Sequence, residues 1–312
     1  MIQNPMDILT NFPIRKTVQQ KNAFISDVTE YVKSHDYAVR VEENKRGIRN
    51  IVIGNLNSAK YLITAHYDTP ASIGLPNFIV PNNPVLFFGI QLLVVSLLLG
   101  VSFGVGVVAY QFTKNDSVSY LIGYFAYLAL FLLMIKGPAN RNNANDNTSG
   151  VVTVLEILSK LPQKLRSDVC FVLFDKEEGG LIGSAIFRKT HKKTTENMIV
   201  LNLDCVGDGD VIQLTPIKNA RIDQVLLNDL AGICGNTGDK ELRLRSKGFY
   251  GGSSDHKNFP KGVAIMAFHH KPVIGLYCGR IHTWRDTVLD ETNVQILSNA
   301  LISFLDARNT QY

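Results

Sequence analysis

Charge is scarce in this sequence: Asp, Glu, Lys and Arg make up 19% of its 312 residues, against roughly 25% in ordinary soluble domains. The shortage is local. The 51 residues from Val85 to Ile135 hold two charges, Lys114 and Asp116, and the other 261 residues carry 57, about 22%. Cysteine is also sparse: the four, at 170, 205, 234 and 278, form no CxxC pair and no framework spacing, which predicts free thiols and fits either a reducing compartment or simply buried small side chains. A formal charge of +5 is too small and too scattered for a nucleic-acid surface, so no nucleic-acid partner is expected. From Met1 to Lys16 no apolar stretch reaches signal-peptide length, and no cleaved secretion signal is expected. What the chain does have is 46% apolar residues, enough to exclude a disordered polymer and to fill a core.

Those residues are unevenly spread. Val85 to Phe112 runs for 28 residues without a charge or a histidine, about 42 Å as a helix against a bilayer core of roughly 30 Å. After the polar turn at 113–116, a second uncharged run from Ser117 to Ile135 follows, about 29 Å as a helix. The pair reads as a transmembrane helical hairpin, residues 85–136, inserted into a domain formed by residues 1–84 and 137–312. Gly100, Gly104 and Gly106 facing Gly123 and Ala126 would let the two backbones approach closely. Tyr110, Tyr120, Tyr124 and Tyr127 would anchor the turn end at the interface. The alternative is a pair of helices buried inside a soluble protein or its oligomer. Two spans leave both flanking segments on one side of the membrane. Lys136 and Arg141 follow the second span, whereas Lys114 in the turn is offset by Asp116, so the main domain is expected in the cytoplasm.

Outside the insert, strands and helices alternate. Helical spacing covers Lys21 to His35, Thr148 to Leu161, Gly180 to Thr190, Arg221 to Gly232 and Asn293 to Arg308. Strand-like runs cover Tyr37 to Glu42, Ile48 to Gly54, Tyr61 to Ala65, Val169 to Phe174, Met198 to Leu203 and Val263 to Phe268. This order predicts an α/β fold: a mixed, mostly parallel sheet with helices on both faces. The stretches 70–84 and 138–147 would link the insert to it.

Ligands gather beyond the carboxyl ends of such strands, and there the sequence places His66 and Asp68, Glu177 and Glu178, and Asp204. Asp146 at a helix start and His282 join them. Two imidazoles with several carboxylates and no cysteine suit a borderline divalent ion such as zinc, and one bridging carboxylate would let five protein ligands hold two ions.

Six pieces of this sequence resemble, in order, the di-zinc aminopeptidases of peptidase family M28: Ala65-His66-Tyr67-Asp68, the run 145–150, Glu177-Glu178 with the run to Ser184, Asn202-Leu203-Asp204, Ser254-Asp255-His256, and the run 281–287. The resemblance spans nearly all of the chain except the apolar insert, which departs from the family pattern. It implies that His66, Asp146 and Asp204 hold one zinc and that Asp146, Glu178 and His282 hold the other, with Asp146 as the bridge. Glu177 would be the general base that activates water for attack on a peptide carbonyl. Asp68, on the same side of an extended segment as His66, would accept the second imidazole N–H. Asp286 would play a similar supporting part, and His256 would hydrogen-bond substrate or oxyanion. Cys205, next to Asp204 on a strand, should face the opposite way. His35, His191, His269 and His270 read as surface or packing residues, and Leu242 to Lys247 as a half-exposed strand, with lipid headgroup contact as the alternative. The expected activity is removal of N-terminal residues from peptides at the bilayer surface. Glutaminyl cyclisation and a catalytically silent membrane receptor or scaffold are the alternatives.

Overall fold

The apolar strands assemble into one sheet, seen in a computed structural model that describes residues 2–72 and 77–310. Part of the expected 70–84 link, residues 73–76, lies outside the described residues. The chain opens with helices α1 (Asp7–Asn11) and α2 (Val18–Ser34), then strands β1 (Val39–Glu43), β2 (Arg49–Ile53) and β3 (Tyr61–His66). Two long helices follow, α3 (Pro84–Thr113) and α4 (Asp116–Lys136), before α5 (Gly150–Lys160), β4 (Val169–Phe174), α6 (Ile182–Thr190) and β5 (Ile199–Leu203). The remainder is β6 (Val211–Pro216), α7 (Gln224–Gly232), β7 (Gly235–Thr237), β8 (Lys240–Leu244), β9 (Lys261–Lys271), β10 (Gly275–Tyr277) and α8 (Glu291–Thr310).

The strands lie in the order β1-β2-β4-β3-β5-β9-β6-β8-β7, with β10 paired to β9. The central four, β4, β3, β5 and β9, run parallel. Strand alternation sorts the core onto two faces. Val169, Phe171 and Leu173 of β4 pack with α2, α5 and α8, whereas Cys170, Val172 and Phe174 pack with Phe187 of α6 and Phe259. Helices therefore cover both faces, as the alternation of elements predicted. Because β3, β4 and β5 share a direction and a register that sets His66 opposite Phe174, their carboxyl ends open onto one edge.

A buried ion pair fastens α2 to that edge. Lys21 Nζ meets Asp175 Oδ1, both almost fully buried, and Asp175 Oδ2 accepts the Arg49 backbone N–H at 3.2 Å. Removing one partner of such a pair strands a buried charge. Lys21→Met is therefore expected to lower stability by about 3–5 kcal/mol, read from denaturant unfolding.

The hairpin projects from the sheet domain. Each helix is long and apolar enough to cross a membrane, and only Leu98, Ser102 and Ser119 of α3 and α4 are buried. The chain's own core thus does not cover the pair. Asn83 and Asn115 cap the two helices by accepting from Leu86 N and Val118 N. The helices touch at Gly106 and Gly123: a Cβ on Gly123 would lie 3.0 Å from Ser102 O, and one on Gly106 3.2 Å from Ser119 O. Gly100 and Gly104, expected at the same contact, instead point into open space, since helical rotation carries them off the seam.

Candidate metal centre

All seven predicted site residues meet at the carboxyl edge of the sheet. His66 is the last residue of β3, Asp204 immediately follows β5, and Glu177 and Glu178 lie three and four residues beyond the end of β4. Asp146 sits in a tight, buried turn before α5, with a cis Asp146–Asn147 peptide, and His282 lies in the loop after β10 at a φ of 59°.

Asp146 divides its carboxylate between the imidazoles: Oδ1 is 3.2 Å from His66 Nε2 and Oδ2 is 2.9 Å from His282 Nε2. Asp204 Oδ1 approaches His66 Nε2 at 3.6 Å, and Glu178 Oε2 approaches His282 Nε2 at 3.4 Å. Three groups of donor atoms each lie within 4.8 Å: two triads joined at Asp146, one with His66 and Asp204 and one with Glu178 and His282, and a third group that sets Glu177 and Glu178 beside His66. Zinc bonds of about 2.0–2.1 Å in tetrahedral array set donor atoms about 3.3 Å apart, so these separations fit the ion. Among the described residues the buried Glu178 Oε1 has no hydrogen-bond partner, a further sign of a donor set built for a cation.

Electrostatics point the same way. Burial, reinforced by the crowd of carboxylates that includes Glu178 and Asp204, pushes Glu177 well above the usual range, and burial with Asp146 and its neighbours does so for Glu178. Burial disfavours ionisation of Asp146 too, but His282 and His66 overcome it and hold its carboxyl low. Such clustering of like charge suits a bound divalent cation.

Surrounding residues fix the ligands. Asp286 does not support an imidazole as expected; its two oxygens accept the backbone N–H groups of Asn145 and Asp146 at 2.8 and 3.0 Å, which orients the carboxylate that lies between the two imidazoles. Burial and Asp146 push the Asp286 carboxyl up to about 7. Asp68 lies on the Nδ1 side of His66, at 3.6 Å, too long for a hydrogen bond. Its Oδ1 instead accepts the Glu177 backbone N–H at 3.0 Å, tying the candidate base to the first ligand strand. Cys205 corrects the alternation argument: β5 has ended at Leu203, Cys205 has a φ of 56°, and its Sγ donates to Asp204 Oδ1 at 3.1 Å on the pocket side.

Four residues around the site, Arg15, Tyr250, Asn77 and Ile79, had no sequence signal. Arg15 is fully buried and donates to Tyr67 O and Thr148 Oγ1, beside Asp68 and Asp146, with burial holding its guanidinium down at about 10. Tyr250 and the link residues Asn77 and Ile79 help line a cavity of about 200 Å³ that holds Asp146, Glu177, Glu178, Asp204 and His282. His256, singled out by the sequence, lines it too, fully buried, its Nδ1 without a hydrogen bond among the described residues, and burial lowers its pKa to about 4, so it is neutral at physiological pH.

A family model described as peptidase family M28 matches residues 116–304. The chain belongs to peptidase family M28. No curated protein matches it in sequence. Among solved structures, a Zn-dependent exopeptidase from Parabacteroides distasonis aligns with a TM-score of 0.60 at 14% identity, covering 96% of this chain and 93% of the other. A Porphyromonas gingivalis glutaminyl cyclase aligns at 0.58 and 16% identity over 97% and 95% of the two chains. The LapA aminopeptidase of Legionella pneumophila aligns at 0.58 and 14% identity over 97% of this chain and 70% of its own. At these identities the likeness is one of fold.

Proposed function

We propose that the chain is a membrane-anchored zinc aminopeptidase that holds two ions and removes N-terminal residues from peptides at the bilayer surface. One observation carries the reading: Asp146 offers one oxygen beside each of two imidazoles, each flanked by a further carboxylate. His66, Asp146 and Asp204 would hold one zinc, and Asp146, Glu178 and His282 the other. When bound, zinc supplies Lewis acidity, acidifying water and polarising a carbonyl. Glu177 takes a proton from the attacking water at its carboxylate and returns it to the leaving amine nitrogen. Asp68 holds the Glu177 backbone in place, and neutral His256 offers a ring N–H to the carbonyl oxygen of the substrate. A cavity of about 200 Å³ has room for little more than a terminal residue, which supports action at a chain end.

Residues 1–84 and 137–312 would form the catalytic unit and 85–136 its anchor, with the catalytic unit in the cytoplasm. The anchor reaches the site directly: Phe87 and Phe88 of α3 pack on Phe249, Gly251 N donates to Pro81 O at 2.8 Å, and Tyr250 lies between them on the cavity wall. Cyclisation of an N-terminal glutamine uses its own amine as nucleophile and needs no activated water, so the paired triads support hydrolysis instead.

Short peptides separate the readings. Free N-terminal amino acid released by the wild-type chain, and not with a chelator or with Glu177→Ala, is the expected result. Pyroglutamyl product would point to cyclisation, and zinc without turnover to a receptor. In the same preparation, a chain lacking residues 85–135 is expected to leave the membrane fraction in detergent-free extraction; continued association would overturn the anchoring role.

A further inference from the structure

Both links between the hairpin and the rest of the protein are fastened to one surface loop. On the way in, Ile79 exchanges backbone hydrogen bonds with Cys278 at 2.8 and 2.9 Å, and Phe78 stacks on Tyr277 with ring centroids 5.0 Å apart. On the way out, Asn140 Nδ2 donates to Thr283 O at 2.9 Å and Asn142 Nδ2 to Trp284 O at 2.6 Å. Phe78 is six residues before Pro84, and Asn142 six after Lys136. An extended chain of that length reaches at most about 22 Å, so the 277–285 loop is tethered within that distance of both helix ends.

This loop carries cations. Arg280 and Arg285 help line a cavity of about 320 Å³ with Lys271, His269, Phe78 and Tyr277, and a second hollow beside it shares both arginines and includes Trp284. Acidic groups face part of it: Asp208 pairs with His269 at 2.8 Å and with Arg280 at 3.2 Å, and Asp210 lies 3.8 Å from the other nitrogen of His269. Lys271 and Arg285 are exposed and, among the described residues, have no carboxylate within ion-pair distance; Lys271 sits over the Tyr277 ring at 5.3 Å. Trp284, the sole tryptophan of the chain, is 76% exposed. An amphipathic ring beside unpaired cations at the foot of a membrane hairpin matches the chemistry of an anionic bilayer surface.

We propose that the pocket formed by Lys271, Arg280 and Arg285, with Trp284 beside it, binds the headgroup of an anionic phospholipid and seats the catalytic unit on the membrane. The proposal rests on the spanning reading of the hairpin and goes beyond it, since a hairpin alone has no preference among headgroups.

Trp284 is a built-in probe. The full chain is reconstituted in vesicles of phosphatidylcholine with about 30% phosphatidylserine, a nitroxide quencher being carried near the top of the acyl chain of one lipid or the other. At equal label content, the serine lipid is expected to quench Trp284 at least about twofold more than the choline lipid, and Lys271→Glu/Arg285→Glu or the milder Lys271→Gln/Arg285→Gln to remove that advantage. Equal quenching by both lipids, none at all, or an advantage that survives both variants would overturn the proposal. Loss of the advantage in millimolar inorganic phosphate at constant ionic strength would overturn the lipid assignment in favour of a free-anion site, and a raised KM for soluble peptides with unchanged lipid selectivity would do so in favour of a substrate carboxylate. Flotation after an alkaline wash separates the two readings: protein that does not float overturns the spanning reading and this proposal with it, whereas floating protein without a serine-lipid advantage overturns this proposal alone.

Discussion

Glu177→Gln is expected to lower kcat by about 10²–10⁴-fold, the usual contribution of a positioned general base, while zinc content stays at the wild-type level. The separation of these two effects is the diagnostic. Glu177 and Glu178 are adjacent, yet only Glu178 stands within 3.4 Å of an imidazole of the paired triads, whereas Glu177 is anchored by its backbone to Asp68. Glutamine preserves shape and hydrogen bonding but cannot accept a proton as a carboxylate does. A fall in kcat of less than about tenfold would move the proton transfer to another group.

The second large effect concerns Asp146. It is the one residue common to both triads, so Asp146→Asn is expected to empty both sites, with zinc falling from about two per chain toward none by elemental analysis. Loss of a single ion would show that the triads bind independently. Chelation of the wild-type protein should act in the same direction on stability. A ligand held at about 1,000 times its Kd stabilises the folded state by about 4 kcal/mol, so removing zinc is expected to lower Tm by on the order of 10 °C in differential scanning calorimetry. The sign follows from the crowding of Asp146, Glu177, Glu178 and Asp204, which repel one another when no cation lies between them.

Part of the candidate set was legible because His66, Glu177, Glu178 and Asp204 lie at or just beyond the ends of apolar runs such as Val169–Phe174, whereas Asp146 and His282 follow no such run. The parallel centre of the sheet then does the rest, bringing residues from 66 to 204 onto one edge. What escaped lies where local pattern is weak. β6 carries the buried polar residue Gln213 between its apolar ones, and β10 is three residues long; both are defined by pairing with β9 rather than by their own sequence. The helix expected from Gly180 begins at Ile182, because Gly180 and Leu181 take left-handed φ values of 105° and 60° that end the turn after β4. Arg15 and Asp286 act on groups far away in sequence, the Tyr67 carbonyl and the Thr148 hydroxyl for one and the backbone N–H groups of Asn145 and Asp146 for the other, and no spacing rule reveals such partners.

The position of the insert also dictates an order of events during synthesis. His66 and Asp146 meet at 3.2 Å, yet α3 and α4 lie between them in the chain. A ribosome therefore delivers the first ligand, then both apolar helices, and only afterwards the shared carboxylate. The pairing of His66 with Asp146 therefore cannot form until the whole hairpin has been made, which puts closure of the candidate centre late in the chain's synthesis.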